Sequence, residues 1–362
     1  MKILFPSASR HPSRAANSVQ IKAMCGAFAR AGHQVLLTGF REGSDAVGRQ
    51  DETYRSVFLG KPGRMFATRR QELLTAALAV GFRPNVVFSR EPILALRAAR
   101  LGAKTIFEPH ALPHEGSSTS SALSALLAHP NLKRIVPIST ALGADLLERY
   151  GPARDGVDVI VAHDGAEPGP EPASLGTTDR VTVGYFGHLY KGRGIDLIVE
   201  VAKRLPEIDF AIYGGHEKDI AYWRDEASGL PNVRIHGFIQ HAEVRTRAEA
   251  CDILVAPYAE AIEDIGGRNT VRWMSPLKIF EYMATGRPIV TSDLPVLREV
   301  LTDGETALLC RPSDVDDWQA AIARLAADPA LRERIGRAGR RELVAKYTWD
   351  RRAAAVLEGI PA

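Results

Sequence analysis

VTVGYFGHLYKGRGIDLIVEVAKRL, residues 181–205, opens with a run of apolar side chains too continuous for a half-exposed strand. Strands buried on both faces read this way. A turn follows that mixes glycines and cations (Gly184, Gly187, His188, Lys191, Gly192, Arg193, Gly194), and then an apolar helix. Glycine lets backbone approach a ligand closely, and cations among glycines suit a diphosphate. The turn does not read as G-x-G-x-x-G, and it lacks the Gly-Lys-Ser/Thr of a Walker loop. Taken alone, it reads better as a tight turn with solvated charges.

The same strand-then-helix alternation extends in both directions. Buried-type runs recur at 2–5, 85–88, 134–138, 157–161, 209–213, 253–256 and 288–290. In the first helix, Asn17 is read as the cap with Gln20 closing a capping box, Met24, Ala27, Phe28 and Ala31 as one stripe, and Gly32 as the stop. The fold class is therefore α/β, with doubly wound parallel sheets. Proline, glycine and small polar residues interrupt the alternation at 166–180, which reads as a linker between domains 1–165 and 181–346. The final segment, 347–362, carries Trp349, Ala353, Val356 and Leu357 on adjoining turns and is expected to cross back onto the first domain.

The 362 residues suit two domains of roughly 150 residues each. With 45% hydrophobic and 25% charged residues the chain is an ordinary globular protein rather than a disordered one. The net charge of +3 excludes bulk nucleic-acid binding, yet residues 1–165 carry 21 basic and 13 acidic side chains and the remainder 25 and 30. Surfaces of opposite sign suggest different partners for the two halves. Cys25, Cys251 and Cys310 are far apart and form no Cys-x-x-Cys pair, which fits a reducing cytosol. MKILFPSAS leaves no room for a signal-peptide core, and no run approaches the roughly 18 apolar residues of a membrane span. A cytoplasmic protein, peripheral at the inner face of a membrane, is expected.

A second segment, RWMSPLKIFEYMATGRPIVTSDLPVLREVL (272–301), specifies a helix over about 276–285. Ser275 suits the N-cap, Pro276 the first helical position and Gly286 the stop. Lys278 then sits in the first turn, where the helix dipole disfavours a cation. A bound phosphate resolves that conflict. Glu281 shares the face and could accept hydrogen bonds from hydroxyls of the same ligand, or simply pair with Lys278.

Together these segments resemble the retaining family 4 glycosyltransferases with the GT-B fold, two Rossmann-like domains facing a cleft, over nearly the whole chain. The family's Gly-Arg-x4-Lys-Gly diphosphate turn corresponds to Gly187-His188-x4-Arg193-Gly194. Its Glu-x7-Glu motif keeps the second member, Glu281, which in relatives holds the nucleotide ribose, while Trp273 occupies the first position. The resemblance implies donor binding by Gly187, His188, Lys191, Ser275, Pro276, Leu277 and Glu281, with Gly214 and Phe238 near the nucleotide. It implies catalytic roles for His110, which follows a buried strand in IFEPHALPHE, for Arg193 and for Lys278. Asn17, Ser18 and Glu108 fall on the acceptor side of the cleft.

The implied reaction moves a hexose-type sugar from a nucleoside diphosphate sugar to a glycan or lipid-linked acceptor in cell-surface polysaccharide or glycoconjugate synthesis, with retention and with no metal or other cofactor. Asp314-Val315-Asp316 reads better as a helix cap than as an Asp-x-Asp metal motif, and Pro113 breaks any helix that would aim His110 and His114 at one ion. Lys61, Arg64, Arg69 and Arg70 flank Phe66, as either a basic face for an anionic membrane or a solvated helix. Two other classes remain: a non-catalytic nucleotide-sugar or glycan-binding module, favoured if Trp273 blocks the sugar pocket, and a nucleotide-dependent oxidoreductase, for which no dinucleotide fingerprint is present.

Overall fold

The computed structural model describes residues 1–11, 13, 15–41, 53–60, 67–172, 180–190, 192–261, 269 and 271–361. The chain forms two compact units, Met1–Asp164 with Trp349–Ala362, and Gly165–Thr348.

The first unit runs β1 (Lys2–Phe5), β2 (Arg10–His11), α1 (Ala16–Arg30), β3 (Gln34–Arg41), β4 (Arg55–Leu59), α2 (Ala67–Gly81), β5 (Val86–Ser89), α3 (Pro92–Arg100), β6 (Thr105–Phe107), α4 (Ser118–Leu127), β7 (Leu132–Ile135), α5 (Thr140–Tyr150) and β8 (Asp158–Val159). Among the described residues these strands make one parallel sheet in the order β2-β3-β1-β5-β6-β7-β8, with β4 beside β3. The central strands β1 and β5 are apolar throughout because helices cover both faces. Ile3, Leu4, Phe5, Val86, Val87 and Phe88 are fully buried, and Phe88 meets the edges of Phe5 and Phe28 at centroid distances of 5.2 and 5.4 Å.

The second unit continues with β9 (Thr182–Phe186), α6 (Ile195–Arg204), β10 (Asp209–Tyr213), α7 (Glu217–Glu226), β11 (Val233–Gly237), α8 (His241–Glu249), β12 (Ile253–Ala256), a 3-10 turn at Val271–Trp273, α9 (Leu277–Thr285), β13 (Ile289–Ser292), β14 (Leu308–Cys310), α10 (Val315–Ala327) and α11 (Pro329–Lys346). Its parallel sheet has the order β11-β10-β9-β12-β13-β14. The order reverses direction between β9 and β12, and ligands bind open α/β sheets at such a switch point, outside the C-terminal strand ends. The last helix, α12 (Trp349–Leu357), packs on α1, where Arg30 pairs with Asp350 at 2.7 Å. The three cysteines are buried free thiols.

Several local expectations need correction. α1 is capped by Ala15 with no side-chain bond, so the Asn17–Gln20 capping box does not form. The Asn17 amide donates to Ser9 Oγ at 3.0 Å, and Gln20 is drawn into the interior by a buried carboxylate. α9 starts at Leu277 with Pro276 as its cap, one residue later than the serine cap implied. In the run at 134–138 the strand ends at Ile135; the Val136 N–H still donates to Phe107 O at 2.8 Å, but Pro137 has no N–H to continue the ladder. Of the residues read as linker, 173–179 lie outside the described residues. The segment before them packs within the second unit: Ala166 bridges to Thr348, and the carbonyls of Pro168 and Pro170 accept from Arg245 and Arg340. Among the described residues no helix is long and apolar enough to cross a membrane.

Candidate active site

In the second unit, glycine closes three neighbouring strands. Gly187 follows β9, Gly214 follows β10 and Gly237 ends β11, at φ of 155°, 110° and 84°. Their backbones interlock: the Gly187 N–H donates to Tyr213 O at 3.0 Å and the Gly214 N–H to Gly237 O at 2.7 Å. A Cβ on Gly214 would lie 2.1 Å from Gly187 O. Beneath this step Phe186, Tyr213 and His236 stack in parallel at 4.7 and 4.4 Å, tying the three strands together through their side chains. Phe238, just beyond Gly237, is 47% exposed.

The cations converge on the same edge. Lys278, in the first turn of α9, places its ammonium 4.0 Å above the Tyr185 ring and 5.7 Å from that of Tyr258. The absence of a side chain at Gly187 admits it, since a Cβ there would come within 2.7 Å of Nζ. Tyr185 is itself fixed by donating its hydroxyl to His188 O at 2.6 Å. Burial pushes Lys278 down to about 7, the nearby Arg193 charge pushes the same way, and Glu281 opposes both. Arg193 lies over Tyr190 at 4.8 Å and donates to its hydroxyl, while its buried Nε has no partner among the described residues. Neither cation has a carboxylate partner within salt-bridge distance among the described residues, so the surface Lys278–Glu281 pair does not form.

Glu281 lies 3.7 Å from His241, and burial raises its carboxyl. His188 is exposed and kept neutral, its pKa lowered by partial burial and then by Arg193, His216 and Lys278. Pro276 makes no side-chain cap bond to the first turn of α9, whose N–H groups suit an anion. The structure thus gathers Gly187, His188, Arg193, Gly214, Lys278 and Glu281 at the switch-point edge. Lys191 lies outside the described residues, as do Glu263, Asp264, Gly266 and Gly267 of the loop after β12. Trp273, in the 3-10 turn, is partly buried. Asp314 caps α10 by accepting from Asp317 N at 3.1 Å, and no group of three possible metal ligands occurs among the described residues.

In the first unit, His110 is joined to a buried charge network that the sequence did not reveal. Its Nε2 lies 2.6 Å from Glu108, which is fully buried and also bound by Gln20 and by Arg352 of α12. Glu108 therefore touches His110 and not solvent. Ser18 is equally interior, bonded to His11 Nδ1 at 3.0 Å, whereas Asn17 remains exposed.

This burial makes stability depend on pH. His11 and His110 are each held neutral, pushed to about 4 by burial first and then by cations, with Glu108 opposing for His110. The unfolded chain takes up these protons near pH 6.5 and the native one only near 4. The stability is therefore complete above pH 6.5 and is lost as pH falls through that window. Burial raises the Asp164 carboxyl from 3.8 to about 6, which works in the opposite direction for one group against two. Calorimetry between pH 7 and pH 5 should show Tm falling, with each histidine contributing up to ~1.4 kcal/mol per pH unit. A His11→Gln variant should show a shallower decline.

Two parallel-sheet α/β units, one presenting glycines and cations at its switch-point edge, define the GT-B class of fold. The chain matches Anabaena HepE, solved with UDP and glucose, at TM-score 0.74 and 16% identity over 99% of this chain and 100% of that one. It matches sucrose-phosphate synthase from Thermosynechococcus elongatus at TM-score 0.75 and 17% identity over 98% and 96%. A family model described as Glycosyltransferase Family 4 matches residues 18–162, and one described as Glycosyl transferases group 1 matches residues 180–328. Among curated proteins, the chain is 26% identical over 298 residues to the glycogen synthase of Mycobacterium tuberculosis, covering 76% of this chain and 68% of that one. It is 30% identical over 217 residues to the phosphatidyl-myo-inositol mannosyltransferase of Mycobacterium leprae, covering 58% and 52%. The chain is a glycosyltransferase with the GT-B fold.

Proposed function

We propose that the protein is a retaining family 4 enzyme that transfers a hexose-type sugar from a nucleoside diphosphate sugar to a glycan or lipid-linked acceptor without a metal. The observation that carries this reading is the pair of cations, Lys278 and Arg193, held at the switch-point edge and a helix start with no carboxylate partner among the described residues. Such a site is poorly satisfied until a dianion arrives. The diphosphate supplies it and develops further charge as the glycosidic bond breaks, when preorganised cations and helix N–H groups stabilise it most. Glu281 holds the ribose and His110 a hydroxyl of the transferred sugar. Retention follows from attack on the face the diphosphate leaves, with a phosphate oxygen taking the acceptor proton. The UDP complexes of HepE support a nucleotide donor.

The excess basic charge of residues 1–165, with exposed Arg69 and Arg70 and exposed Leu73 and Val80 along α2, supports a cytoplasmic enzyme working at an anionic membrane surface. Thermal-shift screening against UDP-, GDP-, ADP- and dTDP-sugars tests the donor assignment. The correct donor at a hundred times its Kd should stabilise the protein by about 2.7 kcal/mol, and turnover should survive EDTA. Protection without turnover would identify a binding module, and protection by NAD alone would overturn the reading.

A further inference from the structure

Three hydrogen-bond donors meet the Glu108 carboxylate, and Arg90 stands close by. Oε1 faces His110 Nε2 at 2.6 Å and the Gln20 amide at 2.9 Å, with Arg90 at 3.9 Å; Oε2 faces Arg352 Nη1 at 2.6 Å. Arg352 is fixed in turn: Nε donates to His163 O at 2.8 Å, Nη2 to Ala162 O at 3.0 Å, and Nη1 also touches Met24 Sδ at 3.3 Å. Gln20 is oriented by Arg90, which donates to its Oε1 at 2.8 Å. A guanidinium can only donate and an ionised carboxylate can only accept. The direction of the chain of bonds is therefore set from Arg352 to Glu108, and the imidazole nitrogen that meets Glu108 must carry the proton.

We infer that Arg352, reaching in from the C-terminal helix, is a positioning residue for His110: through Glu108 it locks the imidazole as the Nε2–H tautomer and leaves Nδ1 as a lone-pair acceptor. Nδ1 has no partner among the described residues, and the side chain keeps 20% of its surface exposed. A neutral ring presenting a lone pair accepts a hydrogen bond from a hydroxyl and repels a phosphate oxygen. This gives a physical basis for sugar recognition by His110, and the functional part of the inference rests on that reading.

Burial first, and then Arg90 and Arg352, keep the ring neutral while Glu108 opposes them, within a wider set of charged and titratable groups. Besides Glu108, these are Arg90 and Glu91 after β5, Arg352 on α12 and Asp164, with Gln20 and the Cys25 thiol presented by α1. Burial of Glu108 raises its pKa, but Arg352, the His110 bond and Arg90 more than offset this and hold it well below the ordinary carboxylate range. A proton on the buried ring would place a charge beside the Arg90 and Arg352 guanidiniums, which burial and both cations oppose.

Nitrogen-15 NMR of histidine-labelled full-length protein tests this directly, with the His110 signals assigned from a His110→Gln variant. Between pH 6 and 8 the wild-type ring should show a protonated Nε2 and an unprotonated Nδ1. An Nδ1–H tautomer, or an imidazolium at pH 6.5, overturns the inference without any variant of the network having to fold. In Glu108→Gln the amide oxygen should stay on Arg352 and the NH2 turn toward His110, switching the ring to Nδ1–H. In Arg352→Lys the fork that fixes Glu108 is lost with charge retained, so the carboxylate is no longer held against Nε2 and the signals should report mixed tautomers. In both variants kcat should fall about ten- to a hundredfold, with KM for the nucleotide sugar within about threefold. A variant that keeps the wild-type tautomer overturns the inference. A switched tautomer with unchanged kcat overturns the functional part alone. Absence of turnover with every nucleotide sugar would sink the transferase reading, and the tautomer result would still decide the positioning role.

Discussion

Lys278→Met should lower nucleotide-sugar turnover by on the order of 10²–10³ while raising Tm at pH 7. The two effects share one cause. The ammonium sits in the first turn of α9, where the helix dipole opposes it, and burial and Arg193 push its pKa to about 7. A lysine with a lowered native pKa costs stability at every pH below its unfolded value of 10.5, most fully below about 7. Methionine preserves the packing against Tyr185 and removes that cost, as expected where a site is arranged for a ligand and not for the apo fold. The wild type should also bind UDP more weakly as pH rises above 7, by up to about tenfold per pH unit, because the diphosphate must then restore the proton. Calorimetric titration should find that dependence greatly reduced in the variant. Full turnover in Lys278→Met would refute the donor site.

Gly214→Ala should abolish nucleotide binding and destabilise the second unit by about 2–4 kcal/mol, as expected where a special backbone conformation is strained and a contact overpacked. A Cβ there meets Gly187 O at 2.1 Å, backbone against backbone, so no side-chain rotation relieves it, and φ of 110° is already unfavourable for alanine. The only escape moves the turn after β9, and with it His188 and Arg193. Denaturant unfolding together with UDP titration reads both consequences. A smaller loss at Gly32, where a Cβ meets nothing within 4 Å, would show that the effect comes from the close approach and not from φ alone.

The strand-turn-helix at 181–205, the stop at Gly286 and the cap at Asp314 were legible because their causes are local: buried strands carry continuous apolar runs, and caps and stops depend on a few adjacent residues. β3 was missed because Thr38 and Gly39 interrupt its apolar run, and β14 because it spans only Leu308–Cys310. Lys278 was identified as a cation in the wrong place for an empty helix start. The network around His110 was not found, although Arg352 falls on the apolar face marked by Trp349, Ala353 and Val356, where a charge requires a buried partner.

Local patterning in the chain was thus enough for the alternation of strands and helices, the parallel sheets and the anion-seeking turns. Which partner satisfies a buried charge is a long-range matter. Glu108 and Arg352 are separated by 244 positions, and no local rule connects them until the chain's last helix returns to α1. Likewise, the glycine step at Gly187, Gly214 and Gly237 exists only because β9, β10 and β11 end side by side in one sheet. Folding brings these groups close enough for Coulombic attraction and steric exclusion to act, and both vanish over the distances that separate them along an extended chain.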